Sequence, residues 1–328
     1  MRSPSSLADV LRTPGRRALL ALFIGTCAGV YSYAALNAAP GLRHADDFMW
    51  YWLGAKALLA GQNPYAVIHT GGPYELLVPF IYPLTTAIAT IPFAAWLEPV
   101  PAAALFIGVS SALLAWGIGA DGYHRWPLFL SVPFIWVCNS GQAAPLLTAA
   151  ALIPALGWLA PVKPNLGLAV IAYRPSRIAI VGSILFIGVA FAINPHWLSE
   201  WLATLPQSPP GAKKIPITII GGPVLLLALF RWRRPEARML LVLALVPQSV
   251  LFYDQLLLWL VPATWRQSVM LSSLSLLALG LGEPGFAAGA SHGDVTAAYA
   301  PLIMALMFLP CLIMILRRPN EGELRVLS

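Results

Sequence analysis

Ala45 to Tyr65 reads ADDFMWYWLGAKALLAGQNPY. It sets two adjacent carboxylates, Asp46 and Asp47, against Phe48, Trp50, Tyr51 and Trp52, and closes on the turn Gly61-Gln62-Asn63-Pro64. Apolar runs flank it at 18–38 and 76–97, each near the roughly 20 residues that cross a hydrocarbon layer as a helix. Trp and Tyr collect where membrane meets water. The segment therefore belongs to a polytopic membrane protein and rests just outside the bilayer. Phe48, Tyr51, Trp52, Ala55, Leu58 and Leu59 recur at spacings of three and four, which predicts an amphipathic helix over 47–60. Gly61 and Pro64 end it.

Composition agrees. Of 328 residues, 59% are hydrophobic and 10% charged, with a mean hydropathy of +0.75; soluble domains carry about 25% charge. The net charge of +7 does not point to nucleic acid, because the arginines flank apolar runs and no basic patch interleaved with aromatics occurs. Arg2, Arg12, Arg16 and Arg17 precede the first run, Arg231, Arg233, Arg234 and Arg238 separate two others, and Arg317 and Arg318 follow the last. Basic residues so placed fix orientation with the arginines inside. Cys27, Cys138 and Cys311 stand far apart inside apolar runs, without metal or disulfide spacing. The first run is longer than the 7–15 residues of a signal-peptide core and reads as an uncleaved span.

The expected architecture is all-α: a basic cytoplasmic tail at 1–17, one transmembrane domain over 18–316 with segment 45–65 on the outer face, and a cytoplasmic tail at 317–328. Apolar runs at 18–38, 76–97, 102–119, 126–138, 143–160, 161–173, 178–193, 217–230, 239–252, 256–264, 268–282 and 296–316 give about 10–12 spans, some short or re-entrant, with both termini inside. The loop Glu98–Pro101 is expected inside and Asp121–Arg125 outside. The polar break Asn139-Ser140-Gly141-Gln142 does not face lipid, where its backbone would go unsatisfied.

Asp46 and Asp47 admit three readings: a general base, a divalent-cation pair, or a cap on the helix that follows. No ligand spacing among the histidines supports a metal, and no cofactor is expected. Lys163, in Lys163-Pro164-Asn165, is a phosphate contact or a lysine snorkelling from a helix end. Gln142 lines a cavity or satisfies a helix break, and Tyr253-Asp254-Gln255 contacts a polar ligand or caps a helix. His196, Trp197 and Glu200 read as an interfacial anchor. No P-loop, dinucleotide fingerprint or G-x-S-x-G elbow occurs.

In order along the chain, Asp47-Phe48-x-x-Tyr51-Trp52, Ala57-Leu58-Leu59-Ala60-Gly61-Gln62-Asn63-Pro64-Tyr65, Phe80-Ile81-Tyr82-Pro83-Leu84, Gly141-Gln142, Lys163-Pro164 and Tyr253-Asp254 resemble glycosyltransferase family 87. The resemblance covers roughly 20–265. It implies a C-type glycosyltransferase fold and inverting transfer of mannose, arabinofuranose or a similar sugar from a polyprenyl-phosphate donor. The acceptor would be a glycolipid or glycan hydroxyl on the periplasmic or extracellular face of the cell membrane. It places the general base at Asp47, with Asp46 beside it; Lys163 and Lys214 would hold the donor phosphate. Tyr51, Trp52, Asn63, Tyr65, Tyr82, Gln142, Tyr253 and Asp254 would line the substrate site. A transporter or flippase for a lipid-linked or polar solute is the alternative from a different class.

Overall fold

The computed structural model describes residues 13–38, 46–74, 76, 78–208, 211, 213–282 and 291–321. Residues 1–12, His44, the Gly- and Ala-rich stretch 283–290 and the tail beyond 321 lie outside them. The described residues form helices and no β-strand; Ile68 with Tyr74 and Lys214 with Gln248 make isolated bridges. Three of these helices are long and apolar enough to cross a membrane: Pro14–Ala38, Pro99–Ala120 and Gly293–Leu316. A fourth crossing arises if Arg177–Ile193 and Trp197–Gln207, which meet at 93°, form one broken span. This is an all-helical bundle with three to four helices fit to cross a membrane.

The ten to twelve spans expected from apolar runs are thus not ten to twelve full-length helices. Proline is the cause, since it cannot donate a backbone hydrogen bond and opens helices at their first turn. Run 76–97 becomes helical only at Leu84, after Pro79 and Pro83. Helix α1 is Pro14–Ala38, α2 is Phe48–Leu59 and α3 is Leu84–Ala94. Next come α4 (Pro99–Asp121), α5 (Val132–Ser140) and α6 (Ala144–Leu152). A 3₁₀ segment, Pro154–Val162, leads into α7 (Pro164–Tyr173), the short helix expected at 161–173. Helices α8 (Arg177–Ile193) and α9 (Trp197–Thr204) make the bent pair. The second half runs through 3₁₀ segment Gly222–Arg231, α10 (Pro235–Leu245), 3₁₀ segment Tyr253–Leu260 and α11 (Trp265–Gly282) to the last span.

Small residues let α1 and α4 close on each other: a Cβ on Gly25 would lie 2.6 Å from the Gly108 carbonyl oxygen and 2.7 Å from the Ala112 Cβ. Close backbone approach of this kind drives helix association in lipid. The two helices run antiparallel, because Gly29 faces Ala104 while Arg17 lies 3.5 Å over the Trp116 ring.

Arginines gather at one end of α6 and α7. Arg174 donates to the Leu152 carbonyl at the C-terminus of α6 (3.2 Å), and Arg238 to the Ala172 carbonyl near the C-terminus of α7 (2.9 Å). Arg125 donates to Leu260 (2.9 Å) and Arg318 to Val261 (2.8 Å). Guanidinium groups on C-terminal carbonyls satisfy orphan acceptors and the negative end of the helix dipole. Gln142 and Lys163 stand at the opposite ends of these helices, roughly 15 Å away at 1.5 Å per residue.

This frame corrects two expected loops. Helix α4 begins where Trp52 donates to the Leu97 carbonyl (2.9 Å), beside the acidic segment, and its far end packs Gly117 on Leu152 at the arginine end. Glu98–Pro101 therefore shares the acidic end, and Arg125 shares the arginine end; the two had been expected the other way round. The eleven residues of α3 are too few for the crossing assigned to 76–97.

Candidate functional site

Asp47 stands at the N-cap of α2, yet its side chain makes no cap hydrogen bond. Its Oδ2 instead accepts from Nε2 of Gln142, 95 residues on, at 2.5 Å. Capping, the structural reading of this residue, is therefore not what its carboxylate does. Asp46 precedes it in the left-handed region, at φ 45, and its carbonyl accepts from Met49 N (3.0 Å) to turn the chain into the helix. Asp tolerates that conformation better than most residues. Asp46 is exposed. Desolvation of its carboxyl and, second, the charge of Asp47 push its pKa up to about 7, against a hydrogen bond from the Asp47 backbone. The pair is unequal: one carboxylate is tied inward, the other stands at the rim.

Gln142 reaches the site because Gly141, at φ 67, ends α5 and turns the chain into α6. Its carboxamide is fully buried. Oε1 accepts from Tyr51 OH (2.8 Å) and Lys163 Nζ (2.8 Å), while Nε2 also meets Tyr82 OH at 3.3 Å. Gly141 itself presses on the acidic helix, where an added Cβ would come within 2.5 Å of the Phe48 Cβ. Gly141→Ala is expected to destabilise the protein by at least about 1–2 kcal/mol, the cost of the left-handed conformation alone. A lowered unfolding temperature in detergent is the readout, and a wild-type melt would refute the constraint.

Lys163 is buried at the N-terminus of α7 and pairs with Asp254 Oδ1 at 2.6 Å. Its ammonium also lies 4.8 Å from the centroid of the Tyr253 ring. Asp254 Oδ2 accepts from Ser249 N (2.9 Å) and Asn165 Nδ2 (3.3 Å), so Asp254 is ligated on both oxygens. Two residues before Asp254, Phe252 is a bulky side chain at φ 73. Such backbone costs of order 1–3 kcal/mol and persists where packing dictates it. Here the Phe252 ring is held between Trp136 (5.6 Å) and Tyr299 (5.2 Å).

Tyr82 sits in the extended stretch 78–83, whose prolines deny it helical hydrogen bonds. Side chains satisfy those carbonyls one at a time: Trp50 on Val78 and Pro79, Thr204 on Phe80, Trp201 on Ile81 and Tyr65 on Tyr82. Helix α9 straps this stretch down, anchored where Glu200 accepts from Asn63 (3.0 Å) and Asn194 (2.6 Å). Glu200 is thus an internal clasp rather than the interfacial anchor expected for it.

Of the residues expected at the site, Asp47, Tyr51, Tyr82, Gln142, Lys163, Tyr253 and Asp254 converge, with Asp46 beside them. Asn63 and Tyr65 support the wall from outside it, and Trp52 turns away to Leu97. Lys214 is pinned through its backbone to Gln248 (2.9 Å in both directions). Its exposed neighbour Lys213, passed over in the sequence, is the lysine held below its ordinary range, first by desolvation and then by Lys163, with Asp254 and Asp47 opposing. Asn165 is the other member the sequence missed, although it stands in the Lys163-Pro164-Asn165 motif. Among the described residues no group of three or more His, Cys, Asp or Glu could hold a metal ion.

Beside this network an apolar groove of about 260 Å³ opens among α3, α4, α6 and α8, lined by Ile88, Phe93, Phe106, Leu146, Trp158 and Phe186. Phe106 joins the two features: its ring lies 5.4 Å from Phe48 and 6.5 Å from Tyr51.

No family model matches the chain, and no curated protein or solved structure matches it either. The fold and the site define an all-helical bundle with helices long and apolar enough to cross a membrane, carrying a carboxylate–amide–lysine–carboxylate chain at the end opposite Arg125, Arg174, Arg238 and Arg318.

Proposed function

We propose that the protein is a membrane glycosyltransferase that moves a sugar from a polyprenyl-phosphate donor to an acceptor hydroxyl, on the side of the membrane away from the arginines. The observation that carries this reading is the Asp47 carboxylate, withdrawn from the helix cap and held by a buried amide at the acidic end. Under the positive-inside rule that end faces the periplasm or the cell exterior.

Asp47 takes the proton of the acceptor hydroxyl as its oxygen bonds to the anomeric carbon. The bond from that carbon to the phosphate oxygen breaks, the electron pair leaves on polyprenyl phosphate, and the configuration inverts. A positioned base contributes typically about 10²–10⁴-fold. Cations aimed at the leaving phosphate add to this. Lys213 and Lys214 are assigned that role, because Lys163 already has its charge met by Asp254. The apolar groove walled by Phe106, whose ring meets Phe48 at the start of α2, gives the polyprenyl chain a berth. The donor arrives through the bilayer, so no nucleotide-binding domain is required.

The test is to incubate the purified protein in lipid vesicles with labelled polyprenyl-phosphate sugars and follow a glycosylated product. Transfer supports the proposal. Movement of the label across the bilayer without a new glycosidic bond would replace it with the transporter reading.

A further inference from the structure

We infer that Gln142 is the positioning residue of this site, the group that fixes where the Asp47 carboxylate points and ties it to the Lys163–Asp254 pair. Its catalytic meaning rests on the function proposed above; the contact itself does not.

The orientation of the carboxamide is forced. Lys163 Nζ can only donate, so the group 2.8 Å from it must be the amide oxygen. The nitrogen then faces Asp47 Oδ2 at 2.5 Å, and no flipped assignment satisfies both neighbours. Tyr51 OH supplies a second donor to the oxygen and Tyr82 OH lies against the nitrogen, so four partners hold one buried amide. The chain Asp254–Lys163–Gln142–Asp47 closes with contacts of 2.6, 2.8 and 2.5 Å. Fixing Oδ2 fixes the plane of the carboxylate, and with it the direction of Oδ1, on which a proton from the acceptor would land. A carboxylate at the N-cap of α2 loses less rotamer freedom at each turnover when a buried amide holds one of its oxygens, and preorganised geometry of this kind lowers the barrier. The backbone supplies the same rigidity, since Gln142 follows the left-handed Gly141 and its own N–H bonds to Val137 O at 3.3 Å.

Among the described residues, the groups facing Asp47 and Gln142 are Asp46, just before α2, Tyr51 from α2, Tyr82 from the extended stretch, Lys163 from the start of α7, Lys213 from its loop, and Tyr253 and Asp254 from their 3₁₀ segment. Gln142→Glu changes one atom among them, placing a second carboxylate opposite Asp47. Two carboxylates in contact share one proton near neutrality. The folded protein then binds a proton that the unfolded chain releases above about pH 4.3, so the variant loses stability as pH rises.

The experiment compares wild type, Gln142→Glu and Gln142→Met in lipid. The unfolding temperature of Gln142→Glu should fall progressively below wild type between about pH 5 and pH 8. Its transfer rate should follow a pH profile over that range distinct from wild type, in which Asp46 already titrates at about 7. Gln142→Met, which keeps the volume without polar atoms, should lose at least about 10-fold in kcat with KM little changed, as expected for a lost orientation rather than lost binding. A Gln142→Glu melt that tracks wild type at every pH overturns the contact. A shifted melt with wild-type turnover in both variants overturns the positioning role. Should the Glu variant not fold, the kcat of Gln142→Met decides. Should wild type transfer no sugar, the proposed function falls while the melts still decide the contact.

Discussion

Asp47→Asn is expected to cut sugar transfer by about 10²–10⁴-fold, the range a positioned general base supplies, while donor binding and the unfolding temperature stay near wild type. Asparagine keeps the shape and an oxygen to accept from Gln142 Nε2 at the 2.5 Å contact, so the network around it survives. What it lacks is a site for the proton of the acceptor hydroxyl. Asp46→Asn is the necessary companion, because the two carboxylates are neighbours and the sequence cannot tell them apart. Asp46 is exposed and carries none of the contacts that hold Asp47 to Gln142, so its loss should cost far less. Undiminished turnover by Asp47→Asn, or a larger loss in Asp46→Asn, would remove Asp47 from the chemistry. A cysteine at position 47 labelled from the cytoplasmic side would remove the outer-face placement.

The acidic stretch announced its helix plainly: Phe48–Leu59 forms as the three–four spacing required, and Gly61, at φ 68, closes it where a glycine before Asn-Pro should. Its buried face is shifted, because Phe48, Tyr51, Gly54 and Ala55 are covered while Leu59 is exposed. Helical periodicity ranks side chains by hydrophobicity, but here a glycine packs against the Phe80 ring and Ala87, so contact distance decides the inward face. Apolar runs located the membrane segments without giving their lengths. A run such as 143–160 is uniformly apolar, yet it breaks at Leu152 and resumes as a 3₁₀ segment opened by Pro154. Hydropathy is blind to that break.

The direction of α4 was illegible for a related reason. With the 76–97 run counted as a crossing, every later segment alternates in the wrong sense until another short piece restores the register. Arg125 offered the missed signal: an arginine in a supposed outer loop that in fact donates to Leu260, next to the Val261 carbonyl taken by Arg318. The site residues were legible as residue types and in order, but not in their pairings. Nothing in the spacing of Gln142, Lys163 and Asp254 says that the lysine is already neutralised by the aspartate, or that the exposed cation is Lys213.

Lys163→Met is expected to cost about 3–5 kcal/mol of stability, the range found when one partner of a buried ion pair is removed and the other charge stays behind. Asp254 is 1% exposed, and its Oδ1 loses the ammonium that meets it at 2.6 Å. Ser249 N and Asn165 Nδ2 remain on the other oxygen, which moderates the loss. Gln142 suffers too, since its Oε1 keeps Tyr51 OH alone of its two donors. Removing both charges should be milder than removing one, because well-packed apolar replacements of a buried pair are often neutral or stabilising. Lys163→Met combined with Asp254→Leu should therefore regain stability over Lys163→Met, and the cycle of unfolding temperatures in detergent reads the coupling directly. Additive losses would mean that the two side chains do not meet in solution, and the inward tether of Asp47 would lose its anchor. Coupling with full retention of transfer in the double variant would leave the pair as scaffold and shift all electrostatic assistance to Lys213 and Lys214, the two lysines left to meet the phosphate.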